Sequence, residues 1–172
     1  MKKTLTLLLA MTMATAGALA KDAKTLIKEF KNAEDAEYVH IPPMLMKLAR
    51  LSASKSDTDE STKMVLKNIK SMDVLCLDDC KQKVKDRLSK AFDDLENDGY
   101  EPFVSATSNK ENVKIMLLEK KNSIRELVLL AHDGDDCTLI LLEGDMPEKD
   151  IEALVESQTK DKKESKMKVH VR

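Results

Sequence analysis

Several residue types are scarce in this chain of 172 residues, and each shortage excludes a class of protein. There is no Trp, and aromatic residues make up only 3%, so the stacking platforms that bind nucleic-acid bases or sugars are nearly absent. Four Gly and four Pro exclude collagen-like chains and Pro/Gly-rich disordered chains. The 29 basic and 31 acidic residues nearly balance, whereas nucleic-acid-binding proteins normally carry a clear basic excess. We therefore expect one globular domain with no nucleic-acid partner.

The first 20 residues have the pattern of a secretory signal peptide. Lys2 and Lys3 are followed by an apolar stretch of about a dozen residues, which suits a signal peptide and is too short to span a bilayer. Ala18 and Ala20 are the small residues that a signal peptidase reads, so we expect cleavage after Ala20. An uncleaved membrane anchor is the alternative. The sequence predicts an exported soluble protein, periplasmic or secreted, with no transmembrane segment in the mature chain.

Charge is unevenly distributed along the mature chain. Removing residues 1–20 would leave a net charge of −4, of which residues 160–172 contribute +4 and residues 21–159 contribute −8. The sequence therefore predicts an acidic domain over residues 21–159 and a basic C-terminal tail over residues 160–172, in which alternating Val and charged residues allow a short edge strand. Residues 52–62 contain no apolar residue except Ala53, which predicts a polar surface loop.

The spacing of apolar residues predicts helices and an antiparallel sheet. Helical spacing occurs in residues 22–32, after Pro43, from Asp78 or Asp79 to about Asn97, and after a capping box at residues 145–148. A period of two predicts strands over residues 38–41, 69–77, 100–106, 113–117, 124–132 and 137–142. Short polar connections join the last four strands, as antiparallel hairpins require. The expected fold is α+β: a single domain with helices packed on an antiparallel β-meander.

Two features of this pattern concern packing. The helix after Pro43 has an apolar side, formed by Met44, Leu45, Leu48, Ala49 and Leu51. Several strands are apolar on both faces, which leaves two interpretations open: either helices partly cover both faces of the sheet, or one face binds a partner.

Two cysteines at the junction of a predicted strand and helix are the most specific chemical feature. Cys76 and Cys80 are four residues apart, and in an exported protein they could form a disulfide. Two unlinked thiols and a redox pair are the alternatives, although three intervening residues depart from the C-x-x-C redox motif and neighbouring acidic residues would raise a thiol pKa. Cys137 is expected to remain a small core thiol.

Residues 132–136, His-Asp-Gly-Asp-Asp, are the densest group of potential metal ligands. Asp-Gly is a strong signal for a hairpin turn, and the order of residues departs from the calcium-binding loop. We therefore interpret this segment as a turn and expect no metal or other cofactor. Nucleophilic catalysis has no sequence support either, since Gly-x-Ser-x-Gly is absent and only His40, His132 and His170 could act as imidazole bases.

The order of several short segments resembles one bacterial family. These segments are Tyr-Val-His-Ile-Pro from Tyr38, Ile-Lys-Ser-Met-Asp-Val-Leu from Ile69, Gly-Tyr-Glu from Gly99, Ser-Ile-Arg-Glu-Leu-Val-Leu-Leu from Ser123 and Leu-Leu-Glu-Gly-Asp-Met from Leu141. Together they are similar to the family of domain of unknown function 4252, small exported proteins typical of Bacteroidota. The resemblance implies an exported α+β domain and implies no activity, cofactor or catalytic residue.

The functional expectation follows from these patterns. With no catalytic or cofactor motif, the sequence favours a non-enzymatic binding or structural module of the cell envelope, whose partner is an envelope protein or a small ligand. A metal-dependent enzyme using residues 132–136, or a thiol-redox enzyme using Cys76 and Cys80, is the alternative.

Overall fold

Helices and strands alternate in the first half of the chain, and strands dominate the second half. The computed structural model describes residues 22–53, 63, 66–108, 111–153 and 168–171. The elements are α1 (Ala23–Phe30), β1 (Glu37–Ile41), α2 (Pro43–Ala53), β2 (Ile69–Cys76), α3 (Gln82–Asp93), a 3-10 helix (Asp94–Asp98), β3 (Glu101–Thr107), β4 (Asn112–Glu119), β5 (Ile124–His132), β6 (Cys137–Met146) and β7 (Lys168–Val171). Residues 66–68 and 148–153 are also helical. The predicted signal peptide with its cleavage point, and residues 54–62 of the predicted loop, lie outside the described residues.

One antiparallel sheet connects all seven strands, in the order β1-β2-β6-β5-β4-β3-β7. Strands β3 to β6 form the meander, and β2 joins it by pairing with β6, with Leu75 opposite Leu139. The short strand β7 pairs with β3 and forms one edge, while β1 forms the other. The predicted α+β fold with an antiparallel meander is confirmed.

Helices α1 and α3 cover one face of the sheet, called here the helix face. Leu26 and Phe30 of α1 and Leu88 and Phe92 of α3 are buried in the same cluster. The strands and connections contribute Leu75, Leu77, Cys80, Leu95, Tyr100, Met116, Val128, Leu130, Cys137, Leu139 and Leu141. Gly99 ends the 3-10 helix that follows α3, since its φ of 92° is left-handed and its N–H bonds to the Glu96 carbonyl.

The predicted start of α3 is wrong. The helix begins at Gln82 after Lys81, which makes no side-chain cap. Asp78 does not cap the helix because its carboxylate accepts the backbone N–H of Cys137 at 2.9 Å. Cys80 therefore lies before the helix rather than in its first turn. Long-range pairing with the start of β6 has overridden the local capping preference of this residue.

A second cluster lies on the opposite side of the sheet, called here the second face. It contains Met46 of α2, Ile151 of the last helical segment, and strand residues Ile69, Phe103, Val104, Leu117, Ile124, Leu127 and Met146. Both faces of the sheet are thus partly covered, which is one of the two interpretations left open by the strand pattern. Within the described ranges, every helix is too short or too polar to traverse a bilayer.

The predicted capping box at residues 145–148 is also wrong. Asp145 lies within β6, where its carboxylate accepts the Ser123 hydroxyl and pairs with Arg125 at 3.2 Å. These contacts lower the pKa of Asp145, the Ser123 hydrogen bond being the largest cause. The helical segment begins only at residue 148, so cross-strand contacts, rather than a cap, determine the position of Asp145.

Candidate functional site

The edge strand β1 carries two different surfaces on its two sides. Successive side chains of a strand point to opposite faces, and every residue of β1 is exposed or half-buried. Tyr38 and His40 lie on the helix face beside α1, where they line a cavity. Val39 lies on the second face, opposite Val74. One short strand therefore borders both candidate binding surfaces.

The first surface is a cavity of about 210 Å³, called here the polar pocket. Its lining residues come from four elements and one helix cap: Lys24, Ile27 and Lys28 of α1, the C-cap residue Lys31, Tyr38 and His40 of β1, Asp73 of β2 and Glu143 of β6. The lysines are placed by the amphipathic spacing of α1, whose opposite side is buried.

Asp73 organises the strand side of the polar pocket. It is only 5% exposed, and one of its oxygens, Oδ1, accepts the Tyr38 hydroxyl at 2.5 Å and lies 2.8 Å from His40 Nδ1. Because a carboxylate only accepts hydrogen bonds, Nδ1 carries the proton and Nε2 is the ring nitrogen left for other partners. Burial, with the Asp73 contact as the second cause, raises the pKa of Tyr38 to about 12. Asp73 therefore fixes the orientation of the imidazole.

The charges in the polar pocket are only partly compensated. Lys24 pairs with Glu143 at 2.7 Å, and this contact raises the pKa of Lys24. Glu143 also accepts the Ser71 hydroxyl at 2.8 Å. Within the described part of the chain, Lys28 and Lys31 form no ion pair, and the Lys31 ammonium lies 5.0 Å from the centre of the Tyr38 ring. Two ammonium groups are thus left to interact with an anionic ligand.

The second surface is a row of apolar side chains on α2, called here the α2 stripe: Met44, Leu45, Leu48 and Leu51. Their exposed fractions are 71%, 46%, 56% and 62%, which are high values for such large apolar groups. The sequence predicted an apolar side on this helix at these positions. The structure shows that this side faces solvent and not the core.

Arg50 explains why α2 packs in this orientation. Its guanidinium donates to the carbonyl of Ile69 at 2.7 Å and, at 3.5 Å, to those of Leu66 and Lys67, where the segment 66–68 ends. Cations commonly bind the free carbonyls at a helix end in this way. Met46, four residues earlier on the same side, is 2% exposed in the second-face cluster. Arg50 and Met46 thus attach α2 by one side and direct the stripe outwards.

A larger cavity of about 330 Å³ lies near the start of β3. Its floor is apolar, with Phe103, Leu117 and Ile124, and its rim carries Glu101, Glu119 and Glu148. Such a rim would repel anions and attract cations, but no buried polar group among its described lining residues specifies a ligand.

The cysteines lie on different sides of the sheet. Cys76 is half-buried on the second face, where Thr138 Oγ1 donates to its Sγ at 3.9 Å. Cys80 is buried in the helix-face cluster, and its thiol donates to the Glu34 carbonyl at 3.1 Å. All three cysteines are free thiols here. The disulfide between Cys76 and Cys80 stays a prediction, and it would require one side chain to leave its side of the sheet.

The electrostatic environment does not favour thiolate chemistry. Burial raises the pKa of Cys80 and raises that of Cys137 to about 11. Reactive cysteines instead have lowered pKa values in electropositive surroundings. The thiol-redox alternative therefore gains no support from this geometry.

Residues 132–136 form the hairpin turn that the sequence predicted. The Asp133 N–H bonds to the Asp136 carbonyl at 3.1 Å, its carboxylate accepts the Asp136 N–H at 3.0 Å, and Gly134 is left-handed with a φ of 96°. Neighbouring carboxylates, Asp133 first, raise the pKa of Asp136. Across the residues that the structure describes, no three His, Cys, Asp or Glu side chains converge on a point that could hold a metal ion. The carboxylate of Asp133 thus has a structural role within the turn.

Sequence reasoning noted His40 only as a potential base and missed Asp73 and the α1 lysines. The contacts that unite them are long-range: His40 and Tyr38 lie 33 and 35 residues from Asp73. One local signal was present, because Asp73 lies in β2 between the apolar residues Met72 and Val74, and a buried acidic residue requires a partner.

Comparisons with known proteins identify the family of the chain. Neither a search of the curated proteins nor a search of the solved structures found a significant match. The family model described as "Domain of unknown function (DUF4252)" matches residues 13–154. Because this match spans most of the sequence, the chain belongs to the DUF4252 family.

Proposed function

We propose that this protein is a non-enzymatic binding module of the cell envelope, which docks on another envelope protein through the α2 stripe. A single observation carries the proposal: α2 buries Met46 and exposes four large apolar side chains on its other side. Single exposed apolar residues are normal, but a contiguous row of them marks an interaction surface. The envelope location rests on the predicted signal peptide at residues 1–20.

The spacing of the stripe indicates how a partner would bind it. Met44, Leu48 and Leu51 stand at i, i+4 and i+7, the positions with which an amphipathic helix occupies an apolar groove. Complete burial of each side chain would contribute about 1.5–3 kcal/mol before the cost of association is subtracted. Helix α2 exposes Lys47 and contains no acidic residue, so we expect an acidic rim around the partner's groove.

Site-specific crosslinking in intact cells tests this function. A photoreactive residue is placed at Leu48 and, as a matched control, at the exposed Lys83 on α3. We expect one discrete heterologous adduct from Leu48 and none from Lys83. After its identification and purification, the partner should bind the Met44→Ser/Leu48→Ser variant at least about tenfold more weakly, because two anchors are lost.

Three results would contradict the proposal. One is the absence of a specific adduct at Leu48; another is an adduct with a second copy of this chain; the third is binding of lipid vesicles that the double substitution abolishes. Both substituted side chains are exposed, so the unfolding free energy should change by less than about 0.5 kcal/mol, and loss of binding cannot be assigned to unfolding.

A further inference from the structure

We propose that the polar pocket binds a phosphate dianion, either free phosphate or the phosphate group of a monoester. This site lies on the helix face, so it is separate from the α2 stripe and does not depend on the function proposed for that surface. Four elements build it, and its floor contains Asp73, which is 5% exposed and fixed by two hydrogen bonds.

The balance of charge favours an anionic ligand. Three lysines and two carboxylates line the pocket, which gives a net charge of +1 with a neutral imidazole and +2 with a protonated one. Glu143 is paired with Lys24, and Asp73 accepts hydrogen bonds from Tyr38 and His40. The two ammonium groups left over belong to Lys28 and Lys31. Lys28 lies in α1 and Lys31 is its C-cap with a helical backbone conformation, and side chains three residues apart are neighbours on a helix surface. Both ammonium groups can therefore reach the same anion.

The type of cation favours phosphate over carboxylate. The described lining of the polar pocket contains no Arg, whose planar fork matches a carboxylate with two parallel hydrogen bonds. Lysine ammonium groups act as compact point charges and are common phosphate ligands. A tetrahedral anion can accept hydrogen bonds from several directions, which suits donors on α1 and on β1.

His40 is the third group that would hold the anion, and Asp73 is its positioning residue. The contact of Nδ1 with Asp73 leaves Nε2 for the ligand. When the imidazole is protonated, Nε2 becomes a donor and adds a positive charge beside the phosphate. The volume of about 210 Å³ has room for a phosphate group, and because the cavity is open to solvent, a substituent on the phosphate can extend out of it.

Titration with inorganic phosphate, followed by backbone NMR of the whole protein, tests the site. Saturable shifts are expected at Lys28, Lys31 and His40 under conditions in which sodium chloride of equal ionic strength produces none. Lys28→Gln and Lys31→Gln should each weaken binding about tenfold or more, because each removes a charge-assisted hydrogen bond. Glutamine keeps the helix propensity of the position.

Lys83→Gln/Lys90→Gln is the matched control for the double variant Lys28→Gln/Lys31→Gln. It removes the same charge from α3, and neither of its lysines lines the pocket. If phosphate binding weakened equally in the two double variants, the proposal would be overturned, because phosphate would then be attracted only by the net charge of the protein. Non-saturable shifts, or shifts away from the pocket, would overturn it as well.

Two further probes identify the source of the phosphate. Vesicles of phosphatidylcholine with phosphatidic acid present the group on a lipid, whereas glycerol 3-phosphate presents it on a small soluble molecule. Binding of either probe supports the site if the double variant Lys28→Gln/Lys31→Gln abolishes that binding. The probe that binds more tightly indicates whether the natural ligand is a lipid or a small soluble phosphate. Failure of all three phosphate probes would overturn the proposal.

His40→Gln tests the third group at a single pH. This variant should weaken phosphate binding, because the imidazole that Asp73 orients is lost. Unchanged binding in this variant would exclude His40 as an anion ligand.

Discussion

Replacing Gly144 by Ala should disrupt the point where the second face of the sheet meets the segment that anchors α2. Gly144 in β6 pairs with Ile69, next to a register shift at the start of β2. A Cβ at this position would lie 3.0 Å from the carbonyl carbon of Asn68 and 3.1 Å from the Cα of Ile69, and closer still to the Asn68 carbonyl oxygen. All three atoms belong to the backbone, so no side-chain rotation can make room.

The expected cost follows from these contacts. Forcing a methyl group into a filled site typically costs about 1–3 kcal/mol, and the upper part of this range applies where the backbone must move. Displacing Asn68 would also disturb its side-chain contact with Asp150 at 3.2 Å. The bond from Arg50 to the Ile69 carbonyl would be disturbed as well. We therefore expect a loss of about 2–3 kcal/mol in unfolding free energy, together with loosening of α2.

Chemical denaturation and hydrogen exchange measure the two parts of this prediction. Gly134→Ala is the control, because a Cβ added at Gly134 would meet no neighbouring atom. This substitution should cost only the strain of a left-handed φ, about 1–2 kcal/mol. Gly144→Ala should be the more damaging of the two and should speed amide exchange in α2. A loss below about 0.5 kcal/mol, as at an ordinary surface position, would refute the reasoning.

Three further predictions concern the core, pH dependence and processing. Leu88→Ala should lower the unfolding free energy by about 2–5 kcal/mol, since Leu88 is fully buried; a loss below about 0.5 kcal/mol would contradict its place in the core. The pKa of Glu126 is raised, and burial is the largest cause. The folded state therefore binds the carboxyl proton more tightly than the unfolded state does. The unfolding free energy should fall as pH rises through this pKa. Glu126→Gln should therefore stabilise the protein at neutral pH, with a benefit that shrinks in acid; a pH-independent effect in denaturation curves would contradict this. Mass spectrometry of the exported protein should find Lys21 as the first residue. An intact Met1 on membrane-bound protein would contradict this expectation.

Local sequence signals predicted the elements whose structure depends on near neighbours. The Asp-Gly signal at Gly134 predicted the turn between β5 and β6, and helical spacing up to about Asn97 predicted α3 and the 3-10 helix that follows it. In each case the chain positions that interact are only a few residues apart, so spacing alone contains the information.

Features that depend on distant partners could not be predicted in the same way. The apolar side of α2 pointed to a buried face, but the contact of Arg50 with carbonyls 16 to 19 residues away turned that side to solvent. Asp78 has the sequence position of a helix cap, but its carboxylate bonds instead to the N–H of Cys137, 59 residues later. The polar pocket was missed for the same reason, because α1, β1, β2 and β6 meet only in the folded sheet.

The position of β2 in the sheet has a consequence for the order of folding. The hairpins from β3 to β6 join strands that follow one another in the chain, whereas Cys76 in β2 meets Thr138 in β6 across 62 residues. Closing such a long loop is entropically costly, so we expect the meander to form early and the β2–β6 seam to close late. Asp73 and Glu143 of the polar pocket lie on opposite sides of this seam, and the segment that anchors α2 lies at its end. Both surfaces would therefore be assembled in the final folding step, and a chain interrupted before β6 would present neither.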